Sequence, residues 1–133
     1  MAKEEMQKKI IQFQILDSNL KVLQERMGVL TTRIDELQKT KTAIDTLNVS
    51  KPTKAMIPLG SGNFVFGKID DAENIIVGAG AGVAIKKNKK EAIGILESRI
   101  GELENSLRDL TGQSQLIVEQ LEKLQYEIEK LQK

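Results

Sequence analysis

A spacing of 3.5 residues between apolar positions runs through both ends of this chain and constrains its fold more than any other feature. With positions 6, 13, 20, 27, 34 and 41 as a and 9, 16, 23, 30, 37 and 44 as d, the first segment reads Met6, Phe13, Leu20, Met27, Ile34 and Lys41 against Lys9, Leu16, Leu23, Leu30, Leu37 and Ile44. The last segment reads Ile93, Ile100, Leu107, Ser114, Leu121 and Ile128 at a, and Leu96, Leu103, Leu110, Ile117, Leu124 and Leu131 at d. Only this period keeps one stripe facing a partner helix over six heptads, so both segments are expected to be coiled-coil helices. Neither contains proline, and Gly28, Gly94, Gly101 and Gly112 fall off the seam at b or f positions. The spacing predicts helices from about Glu4 to Leu47 and from about Lys89 to Gln132. Asn88 followed by Glu91 predicts a capping box at the second start.

Composition narrows the function. The 133 residues include 20 Lys or Arg and 19 Asp or Glu, and no His, Cys or Trp. Without thiol or imidazole the chain lacks the usual zinc ligands, a disulfide framework and the central residue of most catalytic templates. No enzyme, metal or cofactor is expected. A net charge of +1 argues against bulk attraction to nucleic acid or anionic lipid. The longest uncharged run, residues 55–67, contains Pro58 and falls short of the roughly 20 apolar residues that span a bilayer. The opening Met1-Ala2-Lys3-Glu4-Glu5 is not that of a signal peptide. A cytoplasmic chain without membrane contact is expected.

The middle differs in kind. Both prolines, six of the ten glycines and two of the three phenylalanines fall in residues 49–88. Ala55 to Leu59, a Gly60-Ser61-Gly62 turn and Asn63 to Ile69 predict one β-hairpin. After a turn at residues 70–74, Ile75 to Ala79, a Gly80-Ala81-Gly82 turn and Val83 to Lys86 predict a second. The expected layout is a helix over 1–48, two hairpins over 49–88 and a helix over 89–133, acting as a single domain.

Facing seam positions decide how the helices pair. In an antiparallel pair a faces d, and with positions summing to 137 Met6 meets Leu131, Phe13 meets Leu124, Leu16 meets Leu121, Met27 meets Leu110 and Ile34 meets Leu103. The fold class is therefore mainly α with a small β insertion, an antiparallel two-helix hairpin whose chain ends meet at one end and whose strands lie at the other. Parallel coils between chains are the competing arrangement and leave this match unused. About 40 residues are too few to bury a core of their own, and an isolated hairpin is marginal in water. The strands are expected to pair with other subunits through Ile57, Leu59, Phe64, Val65, Phe66, Ile69, Ile75, Ile76, Val77, Val83 and Ile85.

A coiled-coil hairpin closed by two β-hairpins, with Pro58-Leu59-Gly60-Ser61-Gly62-Asn63-Phe64 and Val77-Gly78-Ala79-Gly80-Ala81-Gly82-Val83-Ala84-Ile85 followed by Glu91-Ala92-Ile93, resembles the α class of prefoldin subunits, of the archaeal type. The resemblance covers the whole chain. It implies a hetero-hexamer of two α-class and four β-class subunits, whose hairpins form an oligomeric β-barrel body bearing six coiled-coil tentacles. It also implies a chaperone that holds unfolded proteins at the tentacle tips and passes them, without nucleotide, to a group II chaperonin. A related prefoldin forms homo-oligomeric filaments, so a structural scaffold is the alternative.

Apolar residues beyond the seam concentrate near the chain ends. Ile10, Ile11 and Ile15, together with Met6 and Phe13, wrap more than one face of the first helix, and Tyr126, Ile128 and Leu131 lie at the matching level of the second. These eight are the candidate client-binding residues. The stripe Ile11, Ile15, Val22 and Val29 reads equally as packing on another helix or scattered surface, or as an exposed patch for nonnative chains. Lys86-Lys87-Asn88-Lys89-Lys90 is expected to be a solvated helix start, although cations there oppose the helix dipole. Gly78, Gly80 and Gly82 read as a turn, because Val83 and the missing Lys-Ser pair break both phosphate-loop patterns. Lys41 and Ser114 within the seam, and Lys9 at its end, are expected to set register or to lower local stability. Ser114 with Gly112 also offers a bending point.

Overall fold

The computed structural model describes residues 2–47 and 50–132. Two helices, α1 (Ala2–Asp45) and α2 (Lys89–Gln132), flank four strands, β1 (Thr53–Gly60), β2 (Asn63–Ile69), β3 (Asn74–Gly80) and β4 (Val83–Asn88). Each helix has 44 residues. The expected break between the first helix and the hairpins, at 48/49, lies outside the described residues. α1 stops two residues short of the expected Leu47, where the amide of Thr46 still reaches back to Thr42 and that of Leu47 to Ile44. α2 begins at Lys89, and its capping box is reciprocal. The Glu91 amide donates to Asn88 Oδ1 at 2.7 Å and the Asn88 amide to Glu91 Oε1 at 3.4 Å.

The chain forms two compact units, residues 1–35 with 102–133 and residues 36–101. Within the first, the helix segments run antiparallel. Lys9 and Glu127 pair across them, one residue from the expected register. Every a and d position of this unit is half-buried or buried, Leu23 and Leu121 most completely, and outside the seam of α1 only Asp17 is less than exposed. One apolar stripe on each helix is thus what the pair removes from water, at about 25 cal/mol per Å² of apolar area.

The second unit holds the hairpins and the adjoining ends of both helices. Leu96 and Ile100 are buried seam residues, and Lys41 pairs with Glu97 at 3.1 Å. Here α2 buries a second face. Ala92 is 0% exposed, and Ile95 and Arg99 are half-buried. The Lys89 amide donates to the Glu73 carbonyl at 2.9 Å, and Arg99 donates to the Gly78 carbonyl at 2.8 Å, which ties the second hairpin to α2.

Each hairpin is its own two-stranded antiparallel sheet, β1 with β2 and β3 with β4. Their turns are alike. Ser61 and Gly62 (φ 51° and 80°) turn the first, Ala81 and Gly82 (φ 52° and 76°) the second, both with positive φ at two central residues as a tight twisted hairpin requires. The preceding Gly60 and Gly80 also have positive φ, and the register slips by one residue just before each, at Leu59 and Ala79. Between the hairpins, the Asp71 carboxylate accepts from the amides of Glu73 and Asn74 and from the Asn74 side chain at 2.9 to 3.0 Å. Those bonds, the Asn74 side chain first, hold its pKa below the usual value.

Candidate functional site

The chain-terminal end of the first unit brings most of the expected client-binding residues to one level. Lys9, a seam residue, donates from Nζ to Glu127 Oε2 at 2.5 Å. This bond raises the Lys9 pKa above its ordinary value and lowers that of Glu127. Lys9 thereby resolves the polar seam position predicted at the end of the repeat, because its long stem leaves the stripe and its charge finds a partner on the facing helix. Beside this pair, Gln12, Ile15, Leu16, Gln120, Lys123, Leu124 and Glu127 line a groove of about 450 Å³.

The eight residues divide into two sets. Ile10, Ile11, Ile15 and Tyr126 are exposed, whereas Met6, Phe13, Ile128 and Leu131 are half-buried seam residues. The seam set is shared with the partner helix, so the free apolar surface is the first set, extended along α1 by Val22 and Val29. Val22 and Val29 border a second groove of about 720 Å³ with Leu110. Lys130 Nζ sits 4.9 Å from the Tyr126 ring centroid and covers part of that ring. Leu116, also exposed, was not singled out by its heptad position.

The strands present apolar side chains on both faces of a hairpin. On β1 and β2, Met56 opposes Phe66 and Pro58 opposes Phe64 on one face, and Ile57 opposes Val65 on the other. Leu59 at 71% and Phe66 at 70% are the most exposed of the large apolar residues. Phe64, Val65, Ile57, Ile76, Val83 and Ile85 are exposed as well, while Ile69, Ile75 and Val77 are half-buried. Met56 was missed among the candidate contacts, although alternation along β1 puts it on the face of Pro58. The Ile57 side chain lies across Gly67, with Cδ1 only 2.5 Å from where a Cβ at 67 would stand. A larger residue there would make the end of the Ile57 side chain turn aside.

The basic run at the start of α2 is more than a solvated surface. Lys89 Nζ donates to the carbonyl oxygens of Asp45 and Leu47, at 3.0 and 2.8 Å, and Lys87 lies 3.9 Å from Glu91. A cation that opposes the dipole of α2 complements the last carbonyls of α1. Among the described residues no group of acidic side chains could hold a metal ion, and no helix is long and apolar enough to cross a membrane.

Two long helices around two antiparallel hairpins of one turn type, with a one-stripe seam, define a coiled-coil fold with a β insertion. Residues 16–133 match the family profile described as Prefoldin subunit. Among curated proteins, the chain is 37% identical over 92 residues to Prefoldin subunit alpha 1 of Thermococcus kodakarensis, covering 68% of this chain and 63% of that protein, under two thirds of its length. It is 27% identical over 128 residues to Prefoldin subunit alpha of Archaeoglobus fulgidus, covering 96% and 93%. Among solved structures, filamentous PFD from Methanocaldococcus jannaschii shares the fold, with a TM-score of 0.51, 22% identity and coverage of 94% and 98%. The chain belongs to the prefoldin family.

Proposed function

We propose that this chain is the α-class subunit of an ATP-independent holdase chaperone, with residues 1–133 acting as one prefoldin-type domain. Its partners are β-class prefoldin subunits, in a hetero-hexamer of two α and four β. The hairpins join through Ile57, Leu59, Phe64, Val65, Phe66, Ile69, Ile75, Ile76, Val77, Val83 and Ile85 in a shared β-barrel body. Unfolded proteins are held at the chain-terminal end of the coil and delivered to a group II chaperonin.

The observation that carries the reading is the apolar surplus of that end. A two-stranded coil needs one stripe, yet Ile10, Ile11, Ile15 and Tyr126 remain exposed outside it. Apolar surface without fixed hydrogen-bond geometry binds nonnative chains of many sequences weakly, and several subunits engaging one client multiply that retention. The exposed strand residues support assembly in the same way, since two-stranded sheets with both faces apolar are incomplete by themselves. The α-class reading is supported by the similarity to proteins named Prefoldin subunit alpha and by the paired hairpins.

Native mass measured with and without a β-class subunit tests the reading. A stoichiometric complex with six subunits is expected when both are present. Long homopolymers of this chain that ignore the β-class subunit would contradict it and favour a structural scaffold.

A further inference from the structure

The face of the first hairpin that carries Met56, Pro58, Phe64 and Phe66 continues, toward the open end of the hairpin, into Lys54 and Lys68. These two lysines oppose each other directly across β1 and β2. Like charges so placed, with Cβ atoms about 5 Å apart, destabilise a hairpin. Both side chains are exposed, and among the described residues neither has a carboxylate within ion-pair distance. The Lys54 ammonium lies instead over the Phe66 ring, 5.0 Å from its centroid. Phe66 is itself 70% exposed. A partner that buries this ring therefore also takes the ammonium out of water, which is unfavourable unless the partner brings an opposite charge.

The strands of this chain cannot bring one. They hold Lys54, Lys68, Lys86 and Lys87 and no Asp or Glu. A second copy set against this face through its own would crowd two ammonium groups from each chain together. From this one-sided charge we infer that the face bearing Lys54 and Lys68 docks a partner of different sequence, whose apolar strand surface carries a carboxylate set against the two ammonium groups. The inference rests on the proposed assembly through the hairpins and deepens it. Phe64 and Phe66 supply contact area, while the lysines reject a second copy and select the partner. A carboxylate reaching both lysines also relieves the repulsion that the free hairpin carries.

Titration of the full-length chain with a β-class prefoldin subunit, with affinity and native mass measured at low and high salt, tests it. The wild-type complex should weaken as salt rises. Lys54→Glu sets a carboxylate opposite Lys68 within the hairpin, so Tm should hold or rise while affinity for the β-class subunit falls about tenfold. A residue that serves only the fold would move both in the same direction. Lys54→Met with Lys68→Met should lose the salt dependence and self-associate more than wild type. A wild-type chain that forms no complex with the β-class subunit would contradict the proposed assembly, and this inference with it. A wild-type complex that Lys54→Glu forms with unchanged affinity and salt dependence would overturn the inference alone. So would self-association that falls in the double Met variant, since the occupant would then be a second copy.

Discussion

Lys89, the first residue of α2, donates from Nζ to the carbonyl oxygen of Leu47 at 2.8 Å, so the side chain that starts one helix caps the end of the other. A second bond to the Asp45 carbonyl completes the cap. Lys89→Met keeps the stem and removes the donor. It should cost about 1 kcal/mol, through lost hydrogen bonds and the dipole of α1. Thermal unfolding followed by circular dichroism should show Tm lower by about 3 to 5 °C, and an unchanged Tm would show the cap to be idle.

The register of the first unit is open to a chemical check. Phe13→Cys with Leu124→Cys places two thiols at facing seam positions, within the roughly 4.4 to 6.8 Å between Cα atoms that a disulfide needs. Phe13→Cys with Leu110→Cys lies two heptads away. Gel mobility under oxidising conditions should show an intrachain bond in the first variant only. Equal yields from both, or interchain products alone, would contradict the antiparallel pairing.

The pair of Lys9 with Glu127 makes the same unit sensitive to pH in a defined direction. Glu127 has its pKa held below the ordinary 4.5 by the bond from Lys9, so its contribution is present above that range and is lost as pH falls through the lowered value. Lys9 is raised above 10.5, so its contribution is full below that value and is lost as pH rises through the raised one. The pair therefore stabilises between these limits. Urea midpoints at pH 7 and pH 3, compared between wild type and Glu127→Gln, should differ more at pH 7. A constant difference would mean the ion pair contributes nothing.

Assembly should fail when charge enters the strands. Val65→Asp with Ile76→Asp puts carboxylates where partner subunits are proposed to cover the sheets, at a cost of several kcal/mol without counter-ions. Native mass should fall to that of dissociated subunits while helical circular dichroism largely persists. A variant retaining wild-type mass would place the interface elsewhere.

How far the sequence determines this structure differs by element. The helices and their register follow from the seam, because one residue in every 3.5 carries the information and the burial of all a and d positions repeats it. The turns were legible because glycine marks positive φ, although the strands run further than expected: β1 starts at Thr53 and β4 reaches Asn88. Long-range polar contacts were not legible. Nothing in a heptad says that Lys89 will reach α1, or that Arg99 will reach Gly78, since both depend on where the hairpin folds back. The buried second face at Ala92 has the same origin, being set by contacts outside the coil. Of the eight client candidates, heptad position already separates exposed Ile11, off the seam, from half-buried Phe13, on it.

Client holding at the chain-terminal end of the coil is tested most directly by aggregation of a denatured protein in the presence of the assembled chaperone. Ile11→Ser with Ile15→Ser removes exposed apolar surface worth about 25 cal/mol per Å² to a covering chain, and both residues lie outside the seam and the strands. Native mass should be that of wild type, and aggregation of the denatured protein should be suppressed less at equal chaperone concentration. A variant that assembles normally and protects the client as well as wild type would contradict client holding at this end of the subunit.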